Sequence, residues 1–124
     1  MKAEYVGDYG ELCAARYLRA RGIQLIASKY RRRMGEIDLI FYDGGTLVFA
    51  EVKTRTSGMI ARPGESVDAS KQRRIALTAS AYLAEKGIDP PCRFDVLEVY
   101  LNRADGVDRI RWLKDAFDAQ EMNI

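Results

Sequence analysis

Gly35-Glu36-Ile37-Asp38-Leu39-Ile40-Phe41-Tyr42-Asp43-Gly44-Gly45-Thr46-Leu47-Val48-Phe49-Ala50-Glu51-Val52-Lys53 is the stretch on which the reading of this chain turns. Gly35 to Tyr42 reads as a strand, Asp43-Gly44-Gly45-Thr46 as a tight turn, and Leu47 to Lys53 as the returning strand. With Gly44-Gly45 as a two-residue loop, Asp43 faces Thr46, and pairing counted back from there sets Asp38 opposite Glu51 and Glu36 opposite Lys53. Side chains alternate along a strand, so all four are expected on one face. Directly opposed residues have Cβ atoms about 4.5–5.5 Å apart, and like charges placed so are destabilising. An aspartate set against a glutamate there asks for a cation between them. The plainer alternative is a structural ion-pair cluster, with Glu36–Lys53 as a cross-strand salt bridge and arginines satisfying Asp38 or Glu51. A one-residue slip would move one strand's charges to the other face and remove the arrangement.

The same hairpin is apolar on both sides. Alternation places Ile37, Leu39, Phe41, Val48 and Val52 on one face and Ile40, Tyr42, Leu47 and Phe49 on the other. A hairpin covered on both faces belongs inside a sheet with helices on each side. The flanking sequence supplies them. Ala3 to Arg21 reads as a helix with Leu12, Ala14, Ala15 and Leu18 at helical spacing and Gly22 as its stop. Ile23 to Arg33 reads as a strand ending in three arginines. Thr54 to Val67, with Gly58, Pro63 and Gly64, reads as an exposed loop. Asp68 is a helix N-cap for a second helix running to Lys86, with Ile75, Ala79, Tyr82 and Leu83 as its apolar stripe and Gly87 as its end. After a turn at Pro90-Pro91, Arg93 to Leu101 is a strand, followed by a turn at Asp105-Gly106. Val107 to Leu113 reads as an edge strand, and Asp115 as the cap of a short final helix carrying Phe117. The order is α-β-β-β-α-β with small C-terminal additions.

The 124 residues fit one domain over 1–124. No apolar run reaches the roughly 20 residues of a membrane span and the N-terminus has no signal-peptide core, so no membrane partner is expected. The two cysteines, Cys13 and Cys92, are read as reduced thiols of a cytoplasmic protein and are too few for a structural zinc site. There is no histidine. Its absence removes Ser-His-Asp and Cys-His catalysis, histidine-based zinc hydrolysis and histidine general bases. Hydrolysis here would have to use carboxylates, lysine and a hard metal such as Mg²⁺ or Mn²⁺. The net charge of +2 is too small to argue for nucleic acid by itself. Its distribution says more, since Arg31-Arg32-Arg33, Lys53, Arg55, Arg62, Lys71, Arg73 and Arg74 are basic while the C-terminal segment leans acidic.

Glu36, Asp38 and Glu51 against Lys53 make three carboxylates and one ammonium, a formal −2 that one divalent cation would neutralise. Lys53, two residues beyond Glu51, is placed to orient a water or offset developing negative charge. The reaction class that suits this set is phosphodiester hydrolysis. Glu11 shares a helical face with Ala14, Ala15 and Leu18, either at the rim of the core or reaching the site. Lys71 and Arg74, in the first turns of the second helix, and Arg31, Arg33 and Arg55 are candidates for nucleic-acid phosphate contact, weighed against ordinary solvated charges.

Asp38, twelve residues, then Glu51-Val52-Lys53 resembles the D…(D/E)-x-K signature of the restriction-endonuclease-like superfamily, whose αβββαβ core has a mixed central sheet flanked by helices. More closely, the chain resembles the YraN-like family of small bacterial predicted endonucleases. The matching residues are Gly10-Glu11, Arg31, Gly35 to Ile40, Val48 to Lys53, Arg55, Val67, Lys71-Gln72, Arg74, Arg93-Phe94-Asp95-Val96, Trp112 and Ala116-Phe117. Lys29 and Ile60-Ala61 depart from the family, in which an asparagine and a Phe-Gly pair are expected there. The resemblance implies Asp38 and Glu51 as ligands of Mg²⁺ or Mn²⁺, Lys53 as the catalytic lysine and Glu11 as an accessory acid. It implies a nuclease acting on DNA ahead of RNA. By analogy with junction-resolving nucleases, which act as dimers, it adds branched or recombination intermediates as substrates and a homodimer. The rival expectation, from another class, is a non-catalytic nucleic-acid-binding or partner-binding protein that keeps the fold.

Overall fold

A computed structural model describes residues 3–56, 67–102 and 106–118, with side chains from residue 6 onward. Along the chain lie α1 (Ala3–Ala20), β1 (Leu25–Arg32), β2 (Gly35–Asp43), β3 (Thr46–Thr56), α2 (Ala69–Lys86), β4 (Cys92–Leu101) and β5 (Val107–Phe117). The five strands form one mixed sheet in the order β1-β2-β3-β4-β5. Only β3 and β4 run parallel, as a crossover through a helix requires. This is the α/β architecture expected, with the αβββαβ order extended by β5. Among the described residues no helix is long and apolar enough to cross a membrane.

Local chemistry sets the boundaries. α1 stops at Gly22, which takes φ 81° while the Ile23 amide donates back to the Leu18 carbonyl at 3.0 Å. Asp68 caps α2 by accepting from the Lys71 amide at 2.8 Å, and Gly87 closes it in the left-handed region at φ 63°. The hairpin turn falls at Gly44-Gly45, with Asp43 facing Thr46 as read from sequence. β3 runs three residues further than expected, to Thr56, and the loop glycines and proline, with Arg62 and Ile60-Ala61, lie outside the described residues. The turn residue Asp105 does too.

Each sheet face has its own apolar layer. Cys13, Ala14 and Leu18 of α1 pack on Leu39, Phe41, Val48, Ala50, Leu97 and Val99. Ile75, Ala76, Ala79 and Tyr82 of α2 pack on Ile40, Leu47, Phe49, Phe94 and Val96. Gly10 explains how closely α1 sits: a Cβ there would lie 1.8 Å from Thr54 Oγ1 of β3. Both cysteines are free, Cys13 buried and Cys92 half-buried.

Several expectations fail, among them Leu12 on the α1 stripe and Tyr42 on the hairpin, both of which are exposed. Residues 107–117 form one strand, so Asp115 caps no helix and Phe117 lies on none. Asp115 takes φ 54°, its amide donates to Asp95 Oδ1 at 2.9 Å, and Phe117 stacks on Phe94 with centroids 4.8 Å apart. Tertiary partners extend the strand where local sequence suggested a cap. A further failure is Ile37, which joins Ile40 and Phe49 on the α2 side, away from Leu39. Lys29, on the neighbouring strand, takes φ 51°. Pairing runs Ser28↔Leu39 and then Tyr30↔Ile37, with Lys29 and Asp38 between them.

Candidate metal centre and phosphate-binding cleft

Asp38 is the residue around which the site is organised. The β2–β3 ladder ends with the pair Leu39↔Ala50, one step short of Asp38. There the side chain takes over, and the Val52 amide donates to Asp38 Oδ2 at 2.8 Å. The carboxylate is thereby fixed between Glu11 of α1 and Glu51 of β3, and its negative charge acts on both. The predicted register therefore holds along the ladder, and Asp38 does adjoin Glu51. Glu36 differs from expectation: across β1 it pairs with Arg31, with Arg31 Nη2 to Glu36 Oε1 at 3.2 Å. Lys53 finds its register partner on the other side, opposite Glu98 of β4.

Glu51 is 4 % exposed. Burial first, then the neighbouring Asp38, pushes its carboxyl up to about 8. Its Oε1 is buried without a hydrogen-bond partner, and Oε2 lies 3.8 Å from Lys71 Nζ at the start of α2. The structure thus brings Lys71 to the site, as the helix reading allowed. Lys53 has its ammonium form disfavoured by burial and then by Lys71. Two lysines and two carboxylates thus meet at the point where β2 and β3 part. Glu11, on the α1 side, is raised by burial and by Asp38, and opposed by Lys29. Lys29 Nζ reaches Glu11 Oε2 at 2.8 Å and Asp8 Oδ1 at 2.6 Å. These partners hold the Lys29 ammonium more firmly protonated than usual.

Glu11, Glu36, Asp38, Glu51 and Lys71 line one cleft of about 680 Å³. Arg31, Arg32, Arg33 and Arg74 line it too, whereas Lys53 and Arg55 do not. Arg33 occupies the β1–β2 turn, where strand alternation no longer assigns it a face. Arg32 is tied down, with its guanidinium on Glu85 at 2.6 and 2.8 Å and its plane over Tyr30. Arg55 lies along β3 beyond Lys53 and contacts Glu98 Oε2 at 3.3 Å.

The donor set fits a hard divalent cation. Its carboxylates are oxygen donors, one buried oxygen has no partner, and burial beside Asp38 disfavours the charged form of Glu51, which a cation would offset. The carboxylates adjoin as two pairs, Glu11 with Asp38 and Asp38 with Glu51. Among the described residues no three acidic or thiol side chains are drawn into a closed metal-binding group.

Residues 10–99 match the model of the Uncharacterised protein family UPF0102, a span that includes every acidic and basic residue that lines the cleft. The chain belongs to the UPF0102 family. The YraN-like resemblance read from sequence is this family. A UPF0102 protein of Symbiobacterium thermophilum is 54% identical over 115 residues, covering 92% of this chain and 97% of its own length. UPF0102 proteins of Methylobacillus flagellatus and Nitrosomonas europaea are 40% and 41% identical, over 92% and 90% of this chain and 97% and 92% of their own lengths. The family match runs from within α1 across β1–β3 and α2 into β4, and so contains Glu11, Asp38, Glu51, Lys53 and Lys71.

Three features of the UPF0102 site escaped the sequence reading. The ammonium of Lys29 on Glu11 needs the left-handed turn of β1, which no glycine announces. The Asp38–Val52 bond replaces a ladder carbonyl by a side chain, which strand alternation does not foresee. Asp95 is fully buried on β4 opposite Ala50, the residue before Glu51, accepting from Arg93 Nε and Nη2 and from Trp112 Nε1, all at 2.8 Å. Its signal was an aspartate between apolar neighbours in Arg93-Phe94-Asp95-Val96.

Proposed function

We propose that this protein is a divalent-metal-dependent nuclease that hydrolyses phosphodiester bonds, in DNA ahead of RNA, with branched or recombination intermediates as the substrates to test first. The observation that carries the reading is Glu51, a buried carboxylate with an unpartnered oxygen, set against Asp38 and flanked by two lysines. Asp38 and Glu51 would hold Mg²⁺ or Mn²⁺, with Glu11 as the accessory acid. Such an ion, when bound, supplies charge neutralisation at a phosphoryl group and acidifies water.

The chain's own residues supply the rest. The Val52 amide fixes the Asp38 carboxylate, so it needs no reorganisation when substrate arrives. Lys53, with its ammonium form disfavoured, is suited to hold or release a proton at Nζ beside the attacked phosphate. Lys71 Nζ stands on the Glu51 side of the cleft, where it offsets negative charge. Arg31, Arg33 and Arg74 offer phosphate contacts that position the strand without reading its sequence. Lys29 holds Glu11 and restrains it at the rim.

The test is incubation with linear, single-stranded, flapped and four-way DNA in Mg²⁺, Mn²⁺ and chelator. Cleavage is expected with metal alone and is expected to vanish in Asp38→Asn and in Lys53→Met. Cleavage that survives Asp38→Asn would come from a contaminant and refute the assignment. DNA binding with no cleavage by the wild-type protein under any metal would favour the non-catalytic binding protein.

A further inference from the structure

The sheet face that carries Glu51 changes character along a sharp line. Up to Phe49, Val96 and Leu113 it is apolar and packed beneath α2. Beyond that line, registration sets Lys53 beside Glu98 and Glu98 beside Arg111. The next row along the strands is Arg55 beside Tyr100 and Tyr100 beside Arg109. The reverse face at the same level stays apolar, with Leu97, Val99 and Leu101 buried and Val52, Ile110 and Trp112 packed against them. The same three strand segments thus bury one side and present two rows of cationic side chains on the other.

We propose that these rows, Lys53–Glu98–Arg111 and Arg55–Tyr100–Arg109, are a track that carries the phosphate backbone of a nucleic acid away from the cleft. The direction of travel rests on the nuclease reading of that cleft. Four cations stand against the single carboxylate of Glu98, so the surface complements a polyanion. They are also organised. Glu98 draws in Arg55 at 3.3 Å and Arg111 at 3.5 Å, while the Arg109 guanidinium stacks 4.3 Å over the Tyr100 ring. Neighbouring strands lie about 4.8 Å apart and alternate residues about 6.6 Å apart along a strand, so the rows extend the cationic surface about 10 Å sideways from Lys53. Arg109 and Arg111 are exposed, and their contacts would supply affinity independent of base sequence.

The experiment measures binding of the full chain, in chelator, to a short fluorescein-labelled duplex and to its single strand across a salt series. Arg109→Ala/Arg111→Ala is expected to bind roughly tenfold more weakly. The slope of log affinity against log salt should fall by about 1.8 for duplex and about 1.4 for single strand, two contacts' worth. Unchanged melting would show the fold intact. Arg16→Ala/Arg19→Ala, which removes the same charge from exposed positions on α1, is expected to bind like wild type. Wild-type affinity and slope in Arg109→Ala/Arg111→Ala overturn the track, as does equal weakening in both double variants. If that happens while wild type still cleaves DNA, the nuclease reading stands without it. If binding depends on Arg109 and Arg111 but no metal supports cleavage, the track stands and the nuclease reading falls.

Discussion

The Val52 amide donates to the Asp38 carboxylate at 2.8 Å, immediately past the last ladder pair of β2 and β3. One side chain therefore has two tasks, closing the hairpin end and carrying charge toward Glu51. Substitutions separate them. Asp38→Asn keeps an acceptor for Val52 and loses the charge, so its metal-free melting temperature should equal or exceed wild type. Asp38→Ala leaves the amide unpaired, costing about 1–3 kcal/mol against whatever repulsion is relieved, and should melt below Asp38→Asn. Divalent metal should raise the melting temperature of wild type and of neither variant. Thermal melts with Mn²⁺ and with chelator check the order, and metal stabilisation of Asp38→Asn would remove Asp38 from the ligand set.

Glu51 predicts a pH dependence with a definite sign. Its carboxyl titrates near 8 in the folded protein and near the ordinary 4.5 when unfolded. Between those values the folded state holds a proton that the unfolded chain has released. Metal-free stability should therefore fall as pH rises from about 4.5 to about 8, by up to about 1.4 kcal/mol per pH unit for one such proton, and level off above. Glu51→Gln should flatten that segment of the curve. Urea titrations in chelator across this range decide it, and an unaltered slope in Glu51→Gln would place the dependence elsewhere.

Gly10 tests how α1 is seated. A methyl group there would stand 1.8 Å from Thr54 Oγ1, so Gly10→Ala must push α1 from the sheet, at a cost of about 1–3 kcal/mol. Thr54→Ala removes the nearest atom and should recover part of the loss in the double variant. A double-mutant cycle by chemical denaturation gives the coupling. Strict additivity would mean that the two residues do not meet.

Asp95 pairs across the β3–β4 ladder with Ala50, next to Glu51, yet does not line the cleft, and its loss should act on stability. Asp95→Ala strands the Arg93 guanidinium on its remaining partner Asp43 and leaves the Trp112 and Asp115 donors unpaired. The expected loss is about 3–5 kcal/mol. Trp112, the only tryptophan, reports it directly by fluorescence. A near-wild-type denaturation midpoint would show that the network can be replaced without loss.

The hairpin, both helices and their caps were legible because each rests on local chemistry: Gly44-Gly45 for the turn, Asp68 and Gly87 for the ends of α2. The adjacency of Asp38 and Glu51 followed from counting residues back from that turn. What the sequence did not disclose depends on contacts distant along the chain. Ile37 packs with Ile40 on the face opposite Leu39, against strand alternation. Glu36 turns to Arg31 because the β2–β3 ladder has already ended. Asp115 looks like a helix cap, and becomes strand because Asp95, twenty residues away, accepts its amide.

The sheet's strand order is the same as the chain order, and that has a kinetic consequence. Three of the four strand pairings are between neighbours in sequence that double back on themselves, which involves little loop closure. Only β3 with β4 requires a long excursion, through α2, and this step also brings Lys71 to Glu51. The repelling pair Asp38 and Glu51 can therefore form early in one hairpin, while the lysine that moderates it arrives with the slowest closure. Folding should be limited by the step that completes the charge balance of the cleft.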